Sequence, residues 1–121
     1  MSTHGTFIGI VDAEWHADGR TMTLNEPVVF VDARHNRWIA EAGRTIDGAS
    51  IPRFFWRFIG GPFSGKYRRA SVVHDVYCEN RAPGSSNIVH AMFYNAMRAD
   101  GVGRVKAWLM WAAVRLFGPR F

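Results

Sequence analysis

The periodicity of the chain changes once, near Lys66, and that change limits the fold more than any other feature. Before it, short apolar or alternating runs sit between turn signals. Thr6-Phe-Ile-Gly-Ile-Val11 is apolar and β-branched, Ala17-Asp-Gly-Arg20 marks a turn, and Thr21-Met-Thr-Leu24 alternates as a half-buried strand does. Val28-Val-Phe-Val31 and Arg37-Trp-Ile-Ala-Glu41 follow, separated by a turn from Asp32 to Asn36. From Lys66 onward the apolar spacing is helical: Ala70, Val73, His74, Tyr77 and Cys78 recur at i, i+3, i+4. Asn80-Arg-Ala-Pro-Gly84 ends that helix. A second, roughly 87–99, is capped by Ser85 or Ser86 and stops near Gly101. A third runs from about 104 to 117, with Val105, Trp108, Leu109, Ala112 and Leu116 as its apolar stripe and Gly118-Pro119 as its stop. Strands first and helices after predict an α+β fold: a small N-terminal antiparallel β-meander, an irregular loop, then three C-terminal helices. The loop, residues 47–66, holds Pro52, Pro62 and four glycines around Phe54-Phe-Trp56, which excludes a long regular element there.

A chain of 121 residues is expected to form a single domain, 1–121, with residues 1–5 as a flexible end. Its 48% hydrophobic and 21% charged residues are ordinary for a globular protein, and 14% aromatics argue against disorder. One cysteine, Cys78, forbids an internal disulfide and favours a reducing compartment. Met1-Ser-Thr-His-Gly5 lacks the charged and apolar regions of a signal peptide, and no apolar run approaches the roughly 18 residues that span a bilayer. The net charge of +5 is spread along the chain, so a solvated basic surface is favoured over a nucleic-acid footprint.

The sharpest constellation lies on the helix pair. His74 and Asp75 are adjacent on the first helix, and His90 lies early in the next. Antiparallel neighbours joined by a short loop bring facing side chains together. Two imidazoles and a carboxylate are a ligand set for zinc or another divalent metal. Asp47, just upstream, would complete the shell or act as general base. On this reading His74, His90 and Asp47 are the metal ligands, and Asp47, Asp75 and Ser50 the catalytic residues. Ser50 lacks the strand–elbow–helix context of an activated nucleophile, so ordering its loop is the simpler role. Asp75 is the member expected to point outward. Cys78, four residues after His74, could be a thiolate ligand or a nucleophile, but reads first as a small core residue.

Two further patterns carry less. Gly60-Gly-Pro-Phe-Ser-Gly65-Lys66 satisfies G-x-x-x-x-G-K, but Tyr67 stands where a phosphate loop needs Ser or Thr, so no nucleotide cofactor is expected. Trp108 and Trp111 read as core and flank packing. The apolar and basic run Val105–Arg115 keeps peripheral membrane contact open.

Asp47-Gly-Ala-Ser-Ile-Pro-Arg-Phe-Phe-Trp56, Gly65-Lys-Tyr67, His74-Asp75, Val89-His90-Ala-Met-Phe-Tyr94 and Phe117-Gly-Pro-Arg120 resemble a family of tailed-phage and prophage proteins catalogued as domain of unknown function 1353. The resemblance covers roughly residues 20–121. It implies a one-domain protein of phage or prophage origin, acting in the bacterial cytoplasm or on the virion with a phage or host partner. It brings no established activity. The family pattern often has Asp where this chain has His90, an exchange that keeps a metal-ligating or proton-handling side chain. The expected function is a metal-dependent hydrolase acting on a cell-wall peptide or amide bond or on a phosphodiester. The alternative is a non-enzymatic phage accessory or interaction protein, in which the same residues form a structural hydrogen-bond network.

Overall fold

A computed structural model describes residues 3–18, 21–47, 65–80 and 85–121. Among the described residues, six short strands come first: β1 (Gly5–Ile8), β2 (Ala13–Trp15), β3 (Met22–Leu24), β4 (Val28–Asp32), β5 (Arg37–Ala40) and β6 (Thr45–Ile46). A 3-10 turn at Gly65–Tyr67 leads into α1 (Arg68–Asn80), followed by α2 (Ser86–Ala99) and α3 (Arg104–Phe117). The class is α+β, with antiparallel strands before three helices.

The strands divide between two three-stranded antiparallel sheets, in the orders β1-β4-β5 and β2-β3-β6. The sheets interleave along the chain, which one continuous meander would not do. β1 bypasses the β2–β3 pair to join β4, with Phe7 opposite Phe30 and their rings 5.0 Å apart. Gly5 sits at φ +133°, where a Cβ would lie 2.5 Å from the Val31 carbonyl oxygen. That approach demands glycine.

Alternation fixes which faces are buried. Met22 and Leu24 of β3 and Val28 and Phe30 of β4 point inward, while Thr23 and Val29 between them are half-buried. These side chains meet Val72, Val73 and Val76 of α1 and Val89, Phe93 and Met97 of α2 in one core. Helix α2 is the central element; it packs against α1, α3, β1 and β4.

Polar ties hold α1 in place. Tyr77 accepts a hydrogen bond at its hydroxyl from the Ile39 amide of β5 (2.8 Å), and its ring meets Trp38 edge-on at 5.0 Å. At the start of α1, Arg69 forks onto both carboxylate oxygens of Asp100 and also donates to the Gly9 carbonyl at 3.0 Å.

Helix α3 departs from expectation. Its bounds agree, but its inner face is Ala107, Met110, Ala113 and Val114. Val105, Trp108, Leu109 and Leu116, expected to face the core, are exposed, at 73%, 55%, 47% and 59%. Both faces are apolar, and the helix packs by its smaller side chains.

Candidate metal centre

Residues four apart share a helix face. Helix α1 therefore carries two adjacent stripes, His74 with Cys78 and, one residue around, Asp75 with Glu79. The structure brings each stripe to a different partner.

The first stripe faces α2. His74 Nε2 lies 2.8 Å from His90 Nδ1, and Cys78 Sγ lies 3.5 Å from His74 Nε2. Phe93 stacks on the His74 ring with centroids 4.3 Å apart. His90 Nε2 donates to the Pro119 carbonyl oxygen at 3.0 Å. That carbonyl can only accept, so in a neutral ring the proton sits on Nε2 and Nδ1 is bare. His90 Nδ1 then accepts from His74 Nε2–H, and the bare nitrogen of His74 is Nδ1. His74 and His90 are 0% and 1% exposed. Burial, with the neighbouring His90 adding to it, holds His74 well below the usual imidazole range. Burial also lowers His90; the Pro119 bond opposes this and the Arg115 charge reinforces it.

The second stripe faces the end of β6. Asp75 is 1% exposed, which overturns the expectation that it points outward. Helix α1 packs on β4, β5 and β6, and Asp75 meets the backbone of Asp47 just after β6. An Asp75 carboxylate oxygen accepts from the Asp47 amide at 3.3 Å, and Glu79 pairs with Arg44 at 3.5 Å. Burial raises the pKa of Glu79; the Asp75 and Asp47 charges raise it further, and Arg44 opposes them. The Asp75 charge also acts on the first stripe. Burial first, and then this charge, push the Cys78 thiol up to about 12.

One donor atom from each of His74, Cys78 and His90 lies within 4.8 Å of the others, and the same holds for Asp47, Asp75 and Glu79. The four residues expected in one site thus fall into two neighbouring groups. Asp47 joins Asp75, and His74 joins His90. Ser50, the irregular loop from 48 to 64 and most of the G-x-x-x-x-G-K run lie outside the described residues. Cys78 is read from the sequence as the i+4 partner of His74; Glu79 is not among the residues the sequence singles out, though its i+4 spacing from Asp75 is the signal that could have found it. The Pro119 carbonyl, supplied from beyond α3, left no sequence signal.

The first group has the donors for a divalent transition metal. Around tetrahedral zinc, two nitrogens lie about 3.3 Å apart, and a nitrogen and a sulfur about 3.6 Å. With the His74 proton moved to Nδ1, so that Nε2 becomes the donor, the His74–Cys78 spacing of 3.5 Å matches. The two imidazoles would have to separate by roughly half an ångström. The His90–Pro119 hydrogen bond is the kind that orients a ligating imidazole through its other nitrogen. A cleft of about 440 Å³ between the β4–β5 turn and α2 is lined by Asp32, Trp38, Asn87, Ile88 and others, and by none of the three donors.

A family model described as a protein of unknown function, DUF1353, matches residues 22–114. The chain is a DUF1353 protein. The matched span runs from β3 into α3 and contains all six residues of the two groups. Two relatives come from Sinorhizobium fredii (strain NBRC 101917 / NGR234). The uncharacterized protein y4jT is 43% identical over 104 residues, covering 85% of this chain and 31% of its own length. The uncharacterized protein y4iH is 37% identical over 117 residues, covering 97% of this chain and 47% of its own. This DUF1353 chain thus spans less than half the length of either relative. No solved structure matches it.

Proposed function

We propose that His74, Cys78 and His90 hold a divalent metal ion, with zinc the ion this donor set favours, and that the protein is a metal-dependent hydrolase. The observation that carries the reading is the convergence of three ligand atoms from two helices, with the outer nitrogen of His90 already engaged by a carbonyl. Such an ion would supply Lewis-acid activation of water. Asp75, whose charge acts on Cys78, would take the proton, and Asp47 would hold Asp75 through its amide. A cell-wall amide or a phosphodiester fits a hydrolase of phage or prophage origin; that origin rests on the motif resemblance alone.

Burial of both imidazoles favours a second reading. In it the same residues, metal-bound or hydrogen-bonded, pin α1, α2 and the Pro119 segment together in a non-enzymatic accessory protein.

Metal analysis of protein purified at neutral pH without chelator tests the metal. One zinc per chain is expected, falling below a tenth in Cys78→Ser/His90→Ala. Protein without stoichiometric metal overturns the metal reading. Hydrolysis of a chromogenic phosphodiester and of peptidoglycan separates the two roles. A hydrolase loses 10²–10⁴-fold in kcat on Asp75→Asn with its metal retained, whereas an accessory protein turns over neither substrate.

A further inference from the structure

The outward face of α3 has the wrong chemistry for contact with water alone. At 3.6 residues per turn, Val105, Trp108, Leu109, Ala112 and Leu116 share one face, opposite the packed Ala107, Met110 and Val114. Four of these five are large and between 47% and 73% exposed. A surface helix normally puts charged and polar residues there. Here the charges flank the stripe instead. Arg104 and Arg115 lie along one side and Lys106 along the other, all exposed. Arg115 rests over the Trp111 ring, 5.3 Å from its centroid, which turns it to the side of the helix. Residues 101–121 contain four cationic side chains and neither Asp nor Glu.

An apolar ridge bearing a tryptophan, bordered on both sides by cations and free of acids, complements a layer that is apolar inside and negative at its surface. We propose that α3 is an interfacial helix that lays this face into an anionic lipid bilayer. The ridge would enter the boundary between headgroups and acyl chains while Arg104, Lys106 and Arg115 meet lipid phosphates. A second copy of the chain is a poorer occupant, because pairing two such faces sets like charges against one another. The helix has 14 residues, and no described helix is long and apolar enough to cross a membrane, so it would lie along the surface. The three cations are worth about a hundredfold in affinity for an anionic over a neutral surface.

Co-sedimentation of the 121-residue chain with vesicles tests this. Vesicles of phosphatidylcholine containing a third phosphatidylglycerol should bind at least tenfold more tightly than pure phosphatidylcholine at low salt, and the difference should shrink in high salt. Trp108→Ser/Leu109→Ser should weaken binding to the mixed vesicles tenfold or more. Arg104→Glu/Lys106→Glu/Arg115→Glu should abolish the anionic preference. Both variants alter outward side chains, so their thermal melts should match the parent's. The wild-type comparison stands alone if either variant melts early. Equal binding to both vesicle types, or none to either, overturns the proposal. So does a dimer in light scattering that Trp108→Ser/Leu109→Ser dissolves.

Discussion

Asp32 shows how one side chain sets a local structure. One of its oxygens accepts from the Arg34 and Asn36 amides (2.9 Å each), and the other from Asn36 Nδ2 (3.3 Å) and the Trp38 indole (3.0 Å). These bonds shape the β4–β5 turn, including His35 at φ +68°, a conformation few residues other than glycine adopt. Burial pushes the Asp32 carboxyl up, but the bonds from Trp38, Asn36 and Arg34 outweigh it and hold its pKa below the usual value. A carboxyl lowered in the folded state contributes stability above its unfolded pKa, and loses it as pH falls through the folded value. Asp32→Ala is expected to cost about 2 kcal/mol in urea melts at pH 7, with a smaller difference from the parent at pH 3. In the candidate centre, His90→Phe keeps the volume but removes both hydrogen bonds. It takes the nitrogen acceptor from His74 Nε2–H and the donor from the Pro119 carbonyl, and should cost about 2–4 kcal/mol in metal-free protein.

At the scale of elements, the Arg69–Asp100 pair joins the start of α1 to the end of α2 and is partly screened from water, with side chains 32% and 11% exposed. Its contribution falls between that of exposed and buried pairs, so Arg69→Met should lower stability by about 2 kcal/mol. Chemical denaturation of Arg69→Met, Asp100→Asn and the double variant would read the coupling directly. The helices were legible because each is long enough for 3.6-residue spacing to repeat. Strands β3, β4 and β5 were legible because they alternate or are apolar between turns. Strand β3 lies within the alternating run Thr21–Leu24, whereas β2 (Ala13–Trp15) and β6 (Thr45–Ile46) are equally short or shorter and lie in no such run. The pairing of β1 with β4 is a long-range choice that local pattern does not encode. In α3, the larger apolar residues suggested the inner face, but the helix packs by its smaller residues, and spacing alone does not separate two apolar faces. His74 and His90 were legible as a pair because the short connection between helices sets them opposite one another. The separation of Asp47 from the imidazoles was not, because it depends on which side of α1 meets β6.

For the whole molecule, the two neutral imidazoles tie stability to pH. Both are lowered in the folded state, so below about pH 6.5 the unfolded chain binds protons that the folded chain refuses. The unfolded state then holds more protons, and stability falls as pH falls. Metal-free protein should lose stability from about pH 6.5 downward, by up to about 1.4 kcal/mol per pH unit for each of the two rings. Urea midpoints at pH 7.5, 6.5 and 5.5 would check this, and His74→Phe/His90→Phe should flatten the slope. Metal bound at the same donors competes with those protons, so loading with zinc should raise the melting temperature most near neutral pH. Cobalt substitution addresses the donors most directly, because a thiolate–cobalt charge-transfer band reports Cys78 itself. The parent loaded with one cobalt per chain should show that band together with intense tetrahedral d–d absorption, and Cys78→Ser should lose the band while the imidazoles still hold the ion. Cobalt that binds without a thiolate band, or a band that survives Cys78→Ser, would contradict a centre built from His74, Cys78 and His90.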